Sequence, residues 1–396
     1  MAANKERTFS ILSSAFAIFL FWASLYMYVP ILPTHARSLG ASETQIGLIL
    51  ASYGLTQLFL RLPLGLLSDR LRRKKVFALI GTLLVGASGL GLALSRTPTA
   101  LFIFRALSGC AATAWVTISV LYNSHFSIEH AVRTAGQLNF LGAIGQILAM
   151  STGGFLADRW GAGAAFWSSL VLSLPVLLAF SIVKDVRTAT GPGITMGQFR
   201  KAISTPRLLL VSGLSACSQY AMFATSLGFA AVRAQDLGAS DAQLGILTTA
   251  VQVAKAIPMF LLSVRRRPQD GRTMAVLGLA LVTLPLFIFP FLTRFALLVA
   301  CQAVMGLGIG IAFPVMMGLA LQAVEPEARA SAMGVFQSIY AIGMTLGPAI
   351  SGLFARQWGI VGVYMTNGAL LVIATAVAAA FLRPRANRAR HAEAAP

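Results

Sequence analysis

Acidic residues are scarce in this chain: 12 Asp and Glu stand against 31 Lys and Arg among 396 residues, and charged residues of both signs make up only 11%. Soluble domains carry about 25% charged residues, so a water-soluble globule is excluded and a polytopic membrane protein is implied. Cysteine is nearly missing. Cys110, Cys217 and Cys301 each lie inside apolar stretches at unrelated spacings, which leaves neither a disulfide framework nor a thiolate metal site. The four histidines, His35, His125, His130 and His391, fall at loops or termini. No metal, no cofactor and no embedded enzyme is therefore expected. The basic excess does not indicate nucleic acid, because these residues flank apolar segments in short connections where membrane orientation accounts for them.

What the chain has in quantity is hydrocarbon, at 57% hydrophobic residues. Apolar stretches of about 20 residues, bounded by charge or Gly/Pro, predict an all-α membrane protein of twelve transmembrane helices. These are α1 (9–33), α2 (43–67), α3 (75–95), α4 (98–122), α5 (133–156) and α6 (163–184), then α7 (207–230), α8 (241–264), α9 (272–292), α10 (295–322), α11 (330–354) and α12 (360–382). The first stretch is too long for a signal-peptide core and is read as an uncleaved helix. Connections on one side carry most of the basic residues, including Arg70, Arg72, Arg73, Lys74, Lys75, Arg265, Arg266 and Arg267. The other side has only Arg37, Arg96, Arg159, Arg233, Arg294 and Arg356. The positive-inside bias then predicts both termini to be cytoplasmic, in a plasma-membrane protein.

The chain repeats itself. Leu39-Gly-Ala-Ser-Glu-Thr-Gln-Ile-Gly47 recurs as Leu237-Gly-Ala-Ser-Asp-Ala-Gln-Leu-Gly245, a displacement of 198 residues (39 to 237). At the same displacement Gly136, Gly145, Gly154, Trp160 and Gly161 recur as Gly334, Gly343, Gly352, Trp358 and Gly359. Two pseudo-symmetric six-helix halves are expected, residues 1–187 and 207–396, joined by a cytoplasmic linker over 188–206 that contains Gly191-Pro192-Gly193. An interfacial helix over 194–203 and plain coil are equally compatible with that linker. Glu43 and Asp241 open α2 and α8, where they are expected to cap the helix N-termini.

Between α2 and α3 lies Gly65-Leu-Leu-Ser-Asp69-Arg70-Leu-Arg-Arg73-Lys-Lys75. It resembles the loop signature of the major facilitator superfamily, Gly-x-Leu-(Ala/Ser)-Asp-Arg-x-Gly-Arg-(Arg/Lys), with Arg72 where that pattern has Gly. The resemblance implies a transporter with the substrate path between two halves. It also makes Gly65, Asp69, Arg70 and Arg73 parts of a conformational latch, with Arg61 beside it. Arg105, opening Arg-Ala-Leu-Ser108-Gly109 in α4, resembles the family's Arg-x-x-Gln-Gly pattern, whose Arg faces the cavity. Gly343, Gly347, Pro348 and Gly352 of α11 resemble the Gly-x-x-x-Gly-Pro packing element that family antiporters carry in α5. Here α5 lacks that Pro.

No Asp or Glu falls inside a predicted span, whereas Arg61, Arg105 and Lys255 do. A buried cation is costly, so each needs a reason. Lys255 lies deepest, 14 residues into α8, and is the expected proton carrier, since an ammonium can release a proton and a guanidinium cannot. On the helices that line the family's cavity, Trp22, Tyr26, Trp115, Asn139, Gln146, Gln219, Tyr220, Gln302, Gln337 and Tyr340 are candidates for substrate contact or for hydrogen bonds between helices. The expected activity is secondary transport by alternating access. A proton-coupled exporter of small amphipathic or anionic organic molecules, monomeric in the bilayer, is the leading expectation. An uptake permease or facilitator remains open, as does a non-transport sensor or lipid-scrambling protein.

Overall fold

Helix is what this sequence must form in hydrocarbon, since every backbone N–H and C=O needs a partner within its own segment. A computed structural model describes residues 2–71, 73–126, 131–183, 204–264, 270–325 and 328–382. Ten of its helices are long and apolar enough to cross a membrane. The last, Ser331–Phe381, runs 51 residues and breaks at Gly359, where φ is 64°, so it comprises α11 (329–358) and α12 (360–381). Glu43–Leu71 spans a further 29 residues as α2. Twelve spanning helices result, among the described residues. The remainder are α1 (Ala2–Tyr26), α3 (Lys74–Leu94), α4 (Pro98–Thr113 with Trp115–Asn123), α5 (Ala131–Trp160), α6 (Ala162–Ile182), α7 (Pro206–Ala221 continuing to Asp236), α8 (Asp241–Val264), α9 (Gly271–Ile288) and α10 (Phe295–Gln322).

The first helix of each half departs from regularity at matching positions. Continuous helix was expected over 9–33, but α1 stops at Tyr26, turns, and resumes as Leu32–Ser38. Pro30 and Pro33 explain this, because each lacks an N–H and restricts the residue before it. In α7 the corresponding stretch, Met222–Phe229, is a π-helix. Hydroxyls along the spans mostly bond back to their own helix, as Ser52 does to the Ile49 carbonyl at 2.7 Å, which lets polar residues sit in an apolar setting.

The repeat is reproduced in three dimensions. Gly40 and Gly238 both take φ of 82°, and Gly161 and Gly359 take 82° and 64°, so only glycine suits these turns. All four turns lie on one face of the bundle, here termed the glycine-turn face. At each of the two helix starts there, a reciprocal capping box forms. The Ser42 N–H donates to Gln45 Oε1 at 2.9 Å and the Gln45 N–H to Ser42 Oγ at 3.3 Å. Ser240 and Gln243 repeat this at 2.9 and 3.4 Å. The caps are thus Ser42 and Ser240, and the expectation for Glu43 and Asp241 is corrected: Glu43 instead accepts a hydrogen bond from Arg37 at 2.8 Å.

The halves meet along two seams, α2 against α11 and α8 against α5. Beside the glycine-turn face each seam begins with backbone on backbone. A Cβ on Gly47 would lie 2.4 Å from the Pro348 carbonyl and 2.8 Å from Gly352 Cα, and one on Gly154 would lie 2.6 Å from the Asp241 carbonyl and 2.7 Å from Gly245 Cα. Arg37 adds an ion pair between halves to Asp236 at 2.6 Å.

Candidate functional site between the two halves

Farther from the glycine-turn face the seams become polar. On the α2–α11 seam Arg61 donates through Nη1 to the Tyr340 hydroxyl of the other half at 2.8 Å and through Nη2 to Gln57 Oε1 at 3.1 Å. Gln57 is held in turn by donating to the Tyr53 carbonyl at 3.2 Å. Both terminal nitrogens of Arg61 are thus engaged within the seam. This residue ties one half to the other.

On the α5–α8 seam the contact is a ladder. Ser151 and Thr249 hydroxyls lie 2.8 Å apart across the halves. Next come two amides, Gln252 Nε2 donating to Gln146 Oε1 at 2.6 Å, and then Lys255 Nζ donating to Gln252 Oε1 at 2.7 Å. Lys255 is partly buried and Gln252 is 2% exposed. Sequence reasoning missed Gln252, although its spacing of three from Lys255 puts both on one helix face. The repeat makes the asymmetry plain: Gln57 occupies the place of Lys255, and the Gln252–Gln146 rung is replaced by Gly54 packed on Met344, where a Cβ would meet the Met344 carbonyl carbon at 2.9 Å.

Each half also carries a cluster of aromatic rings, and the Arg61 guanidinium lies 5.9 Å from the Tyr340 ring centroid. In the first half Trp22 lies edge-on to Trp115 with centroids 5.2 Å apart and 5.7 Å from Tyr26, and it leans over Gly142. In the second half Phe313, at the position equivalent to Trp115, meets Tyr340 edge-on at 5.7 Å, and Phe336 meets both. All but Phe336 are partly exposed.

Arg105 lies elsewhere. It is 5% exposed, with its guanidinium 4.3 Å from the Tyr53 ring centroid and Nη1 donating to Tyr28 at 3.3 Å and Ser108 at 3.4 Å. Its Nε has no hydrogen-bond partner among the described residues. This aromatic cage shares the cation among ring faces in place of a carboxylate. Gln302, fully buried, accepts from the Ser226 hydroxyl at 2.9 Å and braces α10 on the π-helix. Gln219 is buried with Oε1 unpartnered, Tyr220 and Gln337 are partly buried, and Asn139 is exposed.

The packing element of α11 divides its work. Gly343 and Gly347 let α7 approach, with a Cβ meeting the carbonyls of Ala216 and Tyr220, while Pro348 and Gly352 face α2 across the seam. In the signature loop, Gly65 has room to spare, Lys74 donates to Ser68 at 3.1 Å, and Arg73 is exposed. The side chains of Asp69 and Arg70, and residues 188–203 of the linker with its 194–203 segment, lie outside the described residues. Among the described residues no three His, Cys, Asp or Glu converge on a metal position.

The model of the Major Facilitator Superfamily matches residues 14–231 and again 211–396. The chain belongs to this superfamily. It is 26% identical over 379 residues to the inner membrane transport protein YajR of Escherichia coli, covering 91% of this chain and 80% of the relative. Over 181 residues it is 24% identical to the quinolone resistance protein NorA of Staphylococcus aureus, covering 45% and 46%. A bacterial homolog of the human lysosomal transporter Spinster, solved in an inward-facing, occupied conformation, shares the fold at a TM-score of 0.78 and 14% identity, over 94% of this chain and 96% of the other. The chain is accordingly a multi-pass membrane protein of a transporter family, with two six-helix halves enclosing the cations and rings described above.

Proposed function

We propose that this chain is a proton-coupled exporter of small anionic or amphipathic organic molecules, working by alternating access as a monomer in the plasma membrane with both termini cytoplasmic. One observation carries the reading: Lys255 and Arg61 stand between the halves with amides and a phenol as their only partners among the described residues. A cation so placed attracts an anionic group that would complete its coordination. Aromatic walls on both halves suit a flat apolar body. Export is supported by partial similarity to a protein named for quinolone resistance, and proton coupling by Lys255, which alone of the two can give up a proton. Asp69 is read as the latch of the closed state through its place in the signature loop.

The test is transport in vesicles with a pH gradient. Lys255→Met removes the charge at similar length and abolishes transport of anionic substrates, whereas Lys255→Arg keeps binding and loses its dependence on pH. Full pH-driven transport by Lys255→Met would overturn the proposal. Asp69→Asn abolishes transport while leaving insertion and folding intact; unchanged transport would reduce the loop to a topogenic element.

A further inference from the structure

The ladder on the α5–α8 seam has a direction. An ammonium donates and never accepts, so the Gln252 amide must turn Oε1 toward Lys255. Its Nε2 then faces Gln146, whose own Oε1 must accept. Since a primary amide has one acceptor end and one donor end, Gln146 is left presenting Nε2 away from the seam. Gln146 is partly exposed, and its one hydrogen bond among the described residues is the one its Oε1 accepts from Gln252. The charge on Lys255 in one half thereby sets which end of an amide is displayed by the other half. Among the described residues no pair of amides crosses the α2–α11 seam, where Gly54 and Met344 occupy the equivalent positions.

We infer that Gln252 and Gln146 are specificity-determining positioning residues. The relay orients Gln146 as a hydrogen-bond donor, so a substrate's acidic group, a carboxylate or its like, is held between donors contributed by opposite halves. The inference rests on the proposed role of Lys255 and adds a second donor to it. It also accounts for the pairing of two glutamines across the seam. A single-residue contact could hold the halves together, but two amides in series are needed to carry an orientation from one half to the other.

The experiment compares 2-naphthoate with its neutral isostere 2-naphthamide as probes, taking Kd for each from the concentration dependence of the melting temperature of the purified protein. The wild type prefers naphthoate. Gln252→Met releases Gln146 to face either way, so the donor orientation must be selected from two and the preference falls about twofold. Gln146→Met, which leaves the Lys255–Gln252 pair intact, removes the donor itself, lowers the preference about tenfold or more, the worth of a hydrogen bond to an ionised group, and serves as the control if Gln252→Met folds poorly. In a Lys255→Met background the amides have no imposed direction, so adding Gln252→Met changes nothing further. Additive effects in that cycle, or an unchanged preference in both glutamine variants alongside a lost preference in Lys255→Met, overturn the relay and leave the proposed function standing. A wild type that does not favour naphthoate, or a Lys255→Met protein that still does, overturns both.

Discussion

The two seams occupy equivalent places in the two halves, yet one is built from close backbone and the other from side-chain hydrogen bonds. On the α2–α11 seam Gly47 and Gly54 bring the helices into contact over two turns, and a single long residue, Arg61, reaches across at the end. On the α5–α8 seam only the Gly154–Gly245 contact is so close, after which Ser151–Thr249 and Gln146–Gln252 continue the join through side chains. Backbone contact between small residues depends on dispersion and is lost when the helices separate by a small gap. Hydrogen-bonded side chains tolerate displacement and re-form with water or ligand. The same fold position therefore supplies a close pivot on one side and an adaptable, ligand-responsive contact on the other.

Substitution at the close contacts breaks this comparison most severely. Gly154→Val and Gly47→Val each drive a side chain into the opposing backbone, which cannot yield, so the glycine-turn face is forced apart at a cost of about 1–3 kcal/mol. With Cys110, Cys217 and Cys301 replaced by Ala, a cysteine at Ser151 then reacts with a membrane-impermeant maleimide about tenfold faster than in the parent. Equal rates would show that the glycines do not hold this face closed.

A smaller effect is expected at the far end of the α2–α11 seam. Tyr340→Phe and Arg61→Met each remove the bond between the halves, and the double variant is little worse than Arg61→Met alone, with a coupling of about 1–2 kcal/mol in thermal unfolding. Additivity would mean that the 2.8 Å contact contributes no stability.

The smallest effect lies off both seams and sharpens the comparison as a reference. Asp270 caps α9, and its carboxyl is held below the usual range first by the Thr273 hydroxyl, 2.5 Å away, and then by backbone N–H groups. A depressed carboxylate contributes stability above its unfolded pKa of about 3.9 and loses it as pH falls through the lower folded value. Asp270→Ala should cost about 1 kcal/mol at neutral pH, a typical cap contribution. Melting curves of the two proteins should converge below about pH 3, and a difference that persisted there would assign the effect to something other than the ionised cap.

Much of the architecture could be read from the chain before any coordinates. Segment length fixed the helix count, and the repeat at a displacement of 198 residues indicated two equivalent halves. The capping boxes are equally visible, Ser42 with Gln45 and Ser240 with Gln243, each beside an acid, Glu43 or Asp241, that offers a competing cap. Side-chain partners between helices were not legible. Nothing local to Lys255 names Gln146, 109 positions earlier in the chain (255 back to 146), and the cage that Tyr28 and Tyr53 build around Arg105 depends on how α2 and α4 are rotated about their axes and on the path of the turn after α1. Tilt and rotation follow from packing, to which periodicity in a uniformly apolar helix is nearly blind.

The matched turns, boxes and glycine pairs describe a two-fold dimer whose subunits have been joined into one chain. In a symmetric dimer of identical subunits an isologous interface is written once and used twice, so any residue that improves one seam alters the other equally. Duplication and fusion remove that constraint. Gly54 and Met344 could then diverge from Gln252 and Gln146, and Gln57 from Lys255, while the Gly47–Gly352 and Gly245–Gly154 contacts stayed alike. A single lysine on a single seam is an arrangement that a homodimer of this fold has no means of encoding.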